Sequence, residues 1–184
     1  MVSRVINIVL VLAALSGLVQ AEDSGGVWLD VPFVKQEKDG CGAASIAMVM
    51  QYWQHQQSHP PADRSDAAAI QRALYSGNAH GIYASDMERY FKENGFRTFT
   101  IRGEWGDLKQ QLEKGRPLIA ALQSVGADTL HYVVVTGLDG DQKVVMVNDP
   151  AQRKLLKLGR PSFERQWSAT GKWTLLALPQ SESR

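Results

Sequence analysis

The sequence predicts an α+β domain in which one buried helix packs on an antiparallel sheet. Three features carry that expectation. The stretch from Cys41 to Trp53 is apolar on nearly every face, as a helix enclosed by a core is. The segments "PLIAALQ", "HYVVVTGLD" and "KVVMVND" (117–149) read as successive strands, the last two joined by a hairpin turn at Asp139, Gly140 and Asp141. Helical segments dominate the first half of the chain and strands the second, an order that separates α+β domains from alternating ones.

In chain order, "MVSRVINIVLVLAALSGLVQA" has one early positive charge, Arg4, an apolar run from Val5 to Leu15, and small residues ending at Ala21. That is the layout of a secretory signal, cleaved after Ala21. The alternative, an uncleaved anchor, is disfavoured because a span needs about 20 apolar residues. The expected organisation is therefore a signal over residues 1–21 and one domain over 22–184, exported to the periplasm or beyond, with no stable membrane insertion after cleavage.

"VWLDVPF" (Val27–Phe33) reads as a strand and Cys41–Trp53 as the central helix. The polar stretch Gln54–Arg64, with its double proline, reads as a loop. Ser65 is expected to cap a helix through "DAAAIQRALY", and Ser85 with Glu88 to form a capping box for "DMERYFKEN", which Gly95 ends. Gly77–Ala84 lies between them as a loop. "FRTFTI" alternates as a strand, "WGDLKQQLEK" is a helix, and "KLLKL" and "KWTLLAL" are strands flanking the short helix "SFERQW".

Composition narrows the function. The chain has 20 Lys and Arg against 19 Asp and Glu, and losing Arg4 with the signal balances them. Such a balance does not advertise nucleic acid as a partner. His and Cys do not cluster at metal-ligand spacing, so neither a metal nor an organic cofactor is expected. The informative number is the single cysteine. Exported domains commonly use cysteines in pairs, and one left over suggests a reactive thiol.

Cys41 sits where the central helix begins, between Gly40 and Gly42. Free N–H groups and the positive end of the helix dipole both favour thiolate there, and the glycines let a substrate backbone approach. A thiol nucleophile needs a base, and the base an orienting partner. His55 and His59 fall in the polar loop and His80 in "GNAHGIY". His131 instead opens the strand "HYVVVTGL", and the next strand ends in Asn148 and Asp149. Antiparallel pairing brings these ends together. Either Asn148 or Asp149 could orient the ring. Asp149 is favoured because a carboxylate also stabilises an imidazolium. Gln36, five residues before Cys41, can fold back to donate beside the Cys41 N–H to a developing oxyanion.

Gln36, "DGCGAASIAMVMQYW" and "HYVVVTGLDGDQKVVMVNDPA" together resemble the bacteriocin-processing, double-glycine leader peptidase family of papain-like cysteine peptidases. The resemblance runs from about Val31 to Trp173 and includes the middle region "GIYASDMERYFKENGF". It implies a papain-like α+β fold, with Cys41 as nucleophile, His131 as general base, Asp149 as orienting acid and Gln36 as oxyanion donor. Two departures stand out. The family often places its Gln one residue further from the Cys. Its best-known members are domains of ATP-driven exporters, whereas this sequence has no Walker pattern and no ATP-binding module, and reads as a free-standing exported member.

The function expected is hydrolysis of a peptide or isopeptide bond in a peptide or protein substrate, through a thioester acyl-enzyme. Two rivals share the fold: an acyltransferase using the same residues, and a non-catalytic peptide-binding module whose groove is lined by some of the five tryptophans. Gly77–Ala84 and Ser124–Leu130 are the loops expected to flank the site.

Overall fold

One side of the molecule is built around α1 (Cys41–Gln57). The structure, a computed structural model, describes residues 26–57, 62–123, 130–141 and 143–180, without the side chains of 57, 62 and 63. Every residue from Gly42 to Met50 is buried, as an all-round apolar helix demands. Two polar tips fix its far half to the sheet and its surroundings. Tyr52 donates its hydroxyl to Gly115 O at 2.8 Å, and Trp53 its indole N–H to Ala177 O at 3.0 Å. The helix runs past Trp53, so His55, expected in a loop, lies in its last, exposed turn.

A 3-10 turn (Ala62–Ser65) leads to α2 (Ala67–Leu74) and then α3 (Ala84–Glu93). Both capping expectations are corrected. Asp66, not Ser65, caps α2, its carboxylate accepting the Ala69 N–H at 2.7 Å. Ser65 is buried and donates its hydroxyl to Gln54 instead. The Ser85–Glu88 box does not form, because α3 starts at Ala84 with Tyr83 at its cap. Along α4 (Trp105–Glu113) an acid that the sequence reading passed over does this work: Asp107 accepts the Glu104 N–H at 2.8 Å.

The strands are β1 (Val27–Trp28), β2 (Phe96–Arg102), β3 (Leu118–Leu122), β4 (His131–Asp139), β5 (Val144–Asn148), β6 (Leu156–Gly159) and β7 (Trp173–Pro179), with α5 (Arg160–Ser168) before the last. They form one antiparallel sheet in the order β2-β7-β3-β4-β5-β6, with β1 paired to β4. The expected first strand is cut to two residues because the segment then leaves the sheet. Val31 O and Pro32 O accept from the Asn148 side-chain amide at 3.1 and 3.3 Å. Helices cover both faces. Met48, Ile70 and Phe91, from α1, α2 and α3, meet Tyr132 and Val134 on one side. Leu108, Leu112, Phe163 and Trp167, from α4 and α5, meet Val133, Val135 and Val147 on the other.

A bulge in β4 sets which residues share a face. Asp139 pairs with Val144 and Gly137 with Met146, but Val135 pairs with Val147 and Val134 with Asn148, so Thr136 is an extra residue. Alternation shows the flip: Val133 and Val135 face α4 and α5, and beyond the bulge Leu138 does. Thr136 is wholly buried and held by its hydroxyl, which donates to Met146 O at 3.1 Å, and by its carbonyl, which accepts the Leu29 N–H at 2.7 Å.

Next to the bulge, Gly137 is crossed by β1. A Cβ there would lie 2.7 Å from Val27 O and 2.8 Å from Trp28 Cβ. Gly137→Ala is expected to lower unfolding free energy by about 1–3 kcal/mol, because backbone must move. Gly77→Ala, where nothing lies within 4 Å, is expected to be neutral within about 0.5 kcal/mol. Urea unfolding of both variants checks the pair.

Candidate active site

The turn before α1 determines how Cys41 is presented. Gly40 N–H donates to Glu37 O at 3.0 Å, and Gly40 O accepts the Ala44 N–H at 2.9 Å, opening the helix. Asp39 between them has φ 57°. A Cβ on Gly40 would stand 3.0 Å from Glu37 O, so the turn closes this tightly only without one. Cys41 is the first residue of α1, partly exposed, with its thiol unbonded to any other cysteine. Gly42 packs against Ile82, at the end of the turn closed by the Ser76–Gly81 bridge. One of the two loops expected to flank the site therefore touches the first turn of α1. Of the other, residues 124–129 lie outside the described residues, and Leu130 is 48% exposed.

His131 opens β4 opposite Leu122 of β3. On the other side of β4, the pairing of Val134 with Asn148 puts Asp149 one step on, across from Val133. Asp149 and His131 thus share a face as diagonal neighbours. His131 Nε2 and Asp149 Oδ1 are 2.7 Å apart. With Nε2 engaged, Nδ1 is the nitrogen left to face Cys41, whose thiol is near enough to raise the imidazole's pKa. The structure so brings Cys41, His131 and Asp149 together, from the start of a helix, the start of one strand and the end of another.

The electrostatics follow from these contacts. Burial pushes the His131 imidazole down, but hydrogen bonds to Asp149 and Cys41, and the charges of both, outweigh it and raise the pKa to about 9. Burial pushes the Asp149 carboxyl up. The hydrogen bond and charge of His131, the Ala151 N–H and the Gln152 amide outweigh this and hold it below its ordinary value. Tyr132, beside His131 but facing α1, is pushed up to about 12 by burial and by the Cys41 charge.

Gln36 and Asn148 complete the account of the expected residues. The Gln36 main-chain N–H donates to Pro150 O at 2.9 Å, so the segment before Cys41 is tied to the residue after Asp149. Its Oε1 is buried without a hydrogen-bond partner among the described residues. Asn148, considered as an orienter, does not face His131. Its amide holds Val31 O and Pro32 O, and its Oδ1 accepts the Leu155 N–H at 3.0 Å.

Sequence reasoning missed Gln152 and Ala151. Gln152 donates to Asp149 Oδ2 at 2.6 Å and the Ala151 N–H to Oδ1 at 2.9 Å, so both carboxylate oxygens are engaged. The signal was present in "NDPAQ", where an Asp before Pro favours a turn that returns N–H groups to its own carboxylate. Among the described residues no group of His, Cys, Asp and Glu could hold a metal.

Known proteins share this arrangement of the chain. Among curated proteins none matches the sequence. Among solved structures, a protein described as a C39-like peptidase from Bacillus anthracis superposes with a TM-score of 0.66 at 19% identity, over 86% of this chain and 100% of that one. The peptidase domain of Streptococcus ComA, a bi-functional ABC transporter of a quorum-sensing pathway, gives 0.62 at 23% identity, over 80% and 97%. A double glycine motif protease from an AMS/PCAT transporter, solved with its leader peptide, gives 0.61 at 24% identity, over 84% and 95%. At these identities the likeness is one of fold, the papain-like fold of C39 peptidase domains. Residues 28–175 match the Peptidase_C39 like family, and over that span, most of its length, the chain belongs to it.

Proposed function

We propose that the chain is an exported cysteine peptidase that cleaves a peptide or isopeptide bond through Cys41, His131 and Asp149. The observation that carries this is the imidazole held by Asp149 at 2.7 Å and raised in pKa by the neighbouring Cys41, in a chain of the Peptidase_C39 like family. The Cys41 thiolate attacks the carbonyl carbon, and the oxyanion is met by the Cys41 N–H and the Gln36 amide. As the C–N bond breaks, His131 gives its Nδ1 proton to the leaving amine, and a thioester to Cys41 remains. His131 then takes a proton from water, whose oxygen displaces the thiol and releases the acid. Asp149 keeps Nε2 protonated and the ring aligned throughout.

Residues 1–21 lie outside the described residues and are proposed to be a cleaved export signal, with 22–184 as the exported domain. No helix among the described residues is long and apolar enough to cross a membrane. N-terminal sequencing of exported protein is expected to begin at Glu22; a start at Met1 or Val2 would reject cleavage.

At pH 6, iodoacetamide is expected to label Cys41 at least about tenfold faster than free cysteine, an advantage lost in His131→Ala. Equal rates in the two proteins would sink the thiol-imidazole reading. The pH dependence has a definite sign. His131 is raised in the folded protein from 6.5 to about 9, so the imidazolium stabilises the fold fully below 6.5 and that contribution is lost as pH rises through about 9. Peptidase turnover is expected to fall over the same upper range, since the proton donor for the amine disappears. In Cys41→Ala the thiolate charge is gone, and NMR titration is expected to find the His131 pKa lowered.

Gln36→Ala is expected to reduce kcat by about 10²–10³-fold with little change in KM, the cost of one oxyanion donor. Steady-state kinetics on a cleaved peptide checks it; an unchanged kcat would remove Gln36 from the mechanism.

A further inference from the structure

Beside the loop that presents Cys41 is a pocket the mechanism does not use. It is open, about 740 Å³ counting its mouth, and lined by Lys38, Asp39, Gln71, Arg72 and Tyr75. One wall is the turn before the nucleophile. Asp39 O accepts from the Gln71 amide at 3.4 Å, and the Asp39 carboxylate from the Tyr75 hydroxyl at 3.5 Å. Gly81, of the flanking loop, lies on the same carbonyl: a Cβ there would be 3.7 Å from Asp39 O. The pocket therefore shares Asp39, two residues before Cys41, with the turn that presents the nucleophile.

Its charge is unbalanced. Lys38 and Arg72 are both exposed, and among the described residues neither has an ion-pair or hydrogen-bond partner. Some cations elsewhere are matched, as in Lys154 with Asp30, Lys172 with Glu104 and Arg160 with Glu164. Others, such as Arg97 and Lys157, stand alone among the described residues as these two do. What sets Lys38 and Arg72 apart is that they share one cleft. The one acid in the lining, Asp39, already receives the Tyr75 hydroxyl. An ammonium and a guanidinium fork at one mouth suit a carboxylate, which the fork can take in two parallel bonds.

The side of the substrate follows from the layout. His131 delivers its proton to the leaving amine, so β4 borders the amine half. The pocket is lined by α2 and the turn before Cys41 and by no residue of β4, which assigns it to the other half. We propose that it is a subsite for an acidic side chain, Asp or Glu, on the acyl side of the bond cleaved. The proposal rests on the thiol-peptidase reading above.

The test uses peptide chloromethyl ketones, Ala-Ala-Xaa with Xaa Glu, Gln or Lys, and follows alkylation of Cys41 by mass spectrometry. In wild type at low salt the Glu probe is expected to react about fivefold faster than the Gln probe and faster still than the Lys probe. High salt is expected to compress the difference, because exposed charges are screened. The double charge reversal Lys38→Glu with Arg72→Glu is expected to invert the order while leaving iodoacetamide labelling unchanged. Equal rates for the three probes in wild type, or a Glu preference that survives the reversal, would overturn the subsite and leave the peptidase reading standing. If neither the ketones nor iodoacetamide modifies Cys41 faster than a free thiol, the peptidase reading falls and the subsite with it.

Discussion

The hydrogen bond between His131 and Asp149 exists because β4 carries one residue more than its partner. In an unbroken ladder running from the Asp139–Val144 pair, Asp149 would stand opposite Val134 and share a face with Tyr132. Thr136 shifts the count by one, and Asp149 moves to the face of Val133 and His131. The bulge is held on three sides: its hydroxyl bonds back to β5, its carbonyl pairs with Leu29, and Gly137 beside it lets β1 cross closely. A residue at the middle of the strand thus decides what an imidazole at its end can touch.

Holding charge at that spot requires that burial be offset by donors. Burial alone would neutralise both His131 and Asp149, and for each it is the largest single influence. The carboxylate resists because its oxygens receive His131, the Ala151 N–H and the Gln152 amide, two of them supplied by its own turn. The imidazole resists because Asp149 and Cys41 both favour its charged form. The Asp149 side chain is 7% exposed and that of His131 32%. The acid is kept dry, where its attraction is strong, and the ring stays within reach of a substrate.

What could be read from the sequence was what depends on local pattern. The buried helix at Cys41 follows from its composition, and the β3-β4-β5 neighbourhood from two short connections between apolar runs. What escaped depends on partners distant in sequence. Ser65 has the chemistry of a cap, but it is drawn into the interior to meet Gln54, and Asp66 takes the role. β7, last in the chain, enters between β2 and β3, and nothing in "KWTLLAL" names those neighbours. The bulge at Thr136 is invisible for the same reason: "VVVTGLD" alternates too little to show a change of face, since nearly all of it is buried.

Asn148 links these levels. Asn148 is the lesser of the two candidates for orienting His131, and its parity sends it to the opposite face, where all of its amide is used on backbone. Its amide N–H groups hold the extended segment before Gln36, and its oxygen holds the chain returning from the Asp149 turn at Leu155. Gln36 N–H on Pro150 O closes the same circuit. The loop that presents Cys41 and the turn that presents Asp149 are therefore braced against one another by hydrogen bonds, of which the most buried, Asn148 to Val31 O, is costly to leave unmade. The adjacent pair Asn148 and Asp149 divides the labour by alternation alone: one side chain fixes the frame, and the next faces the imidazole.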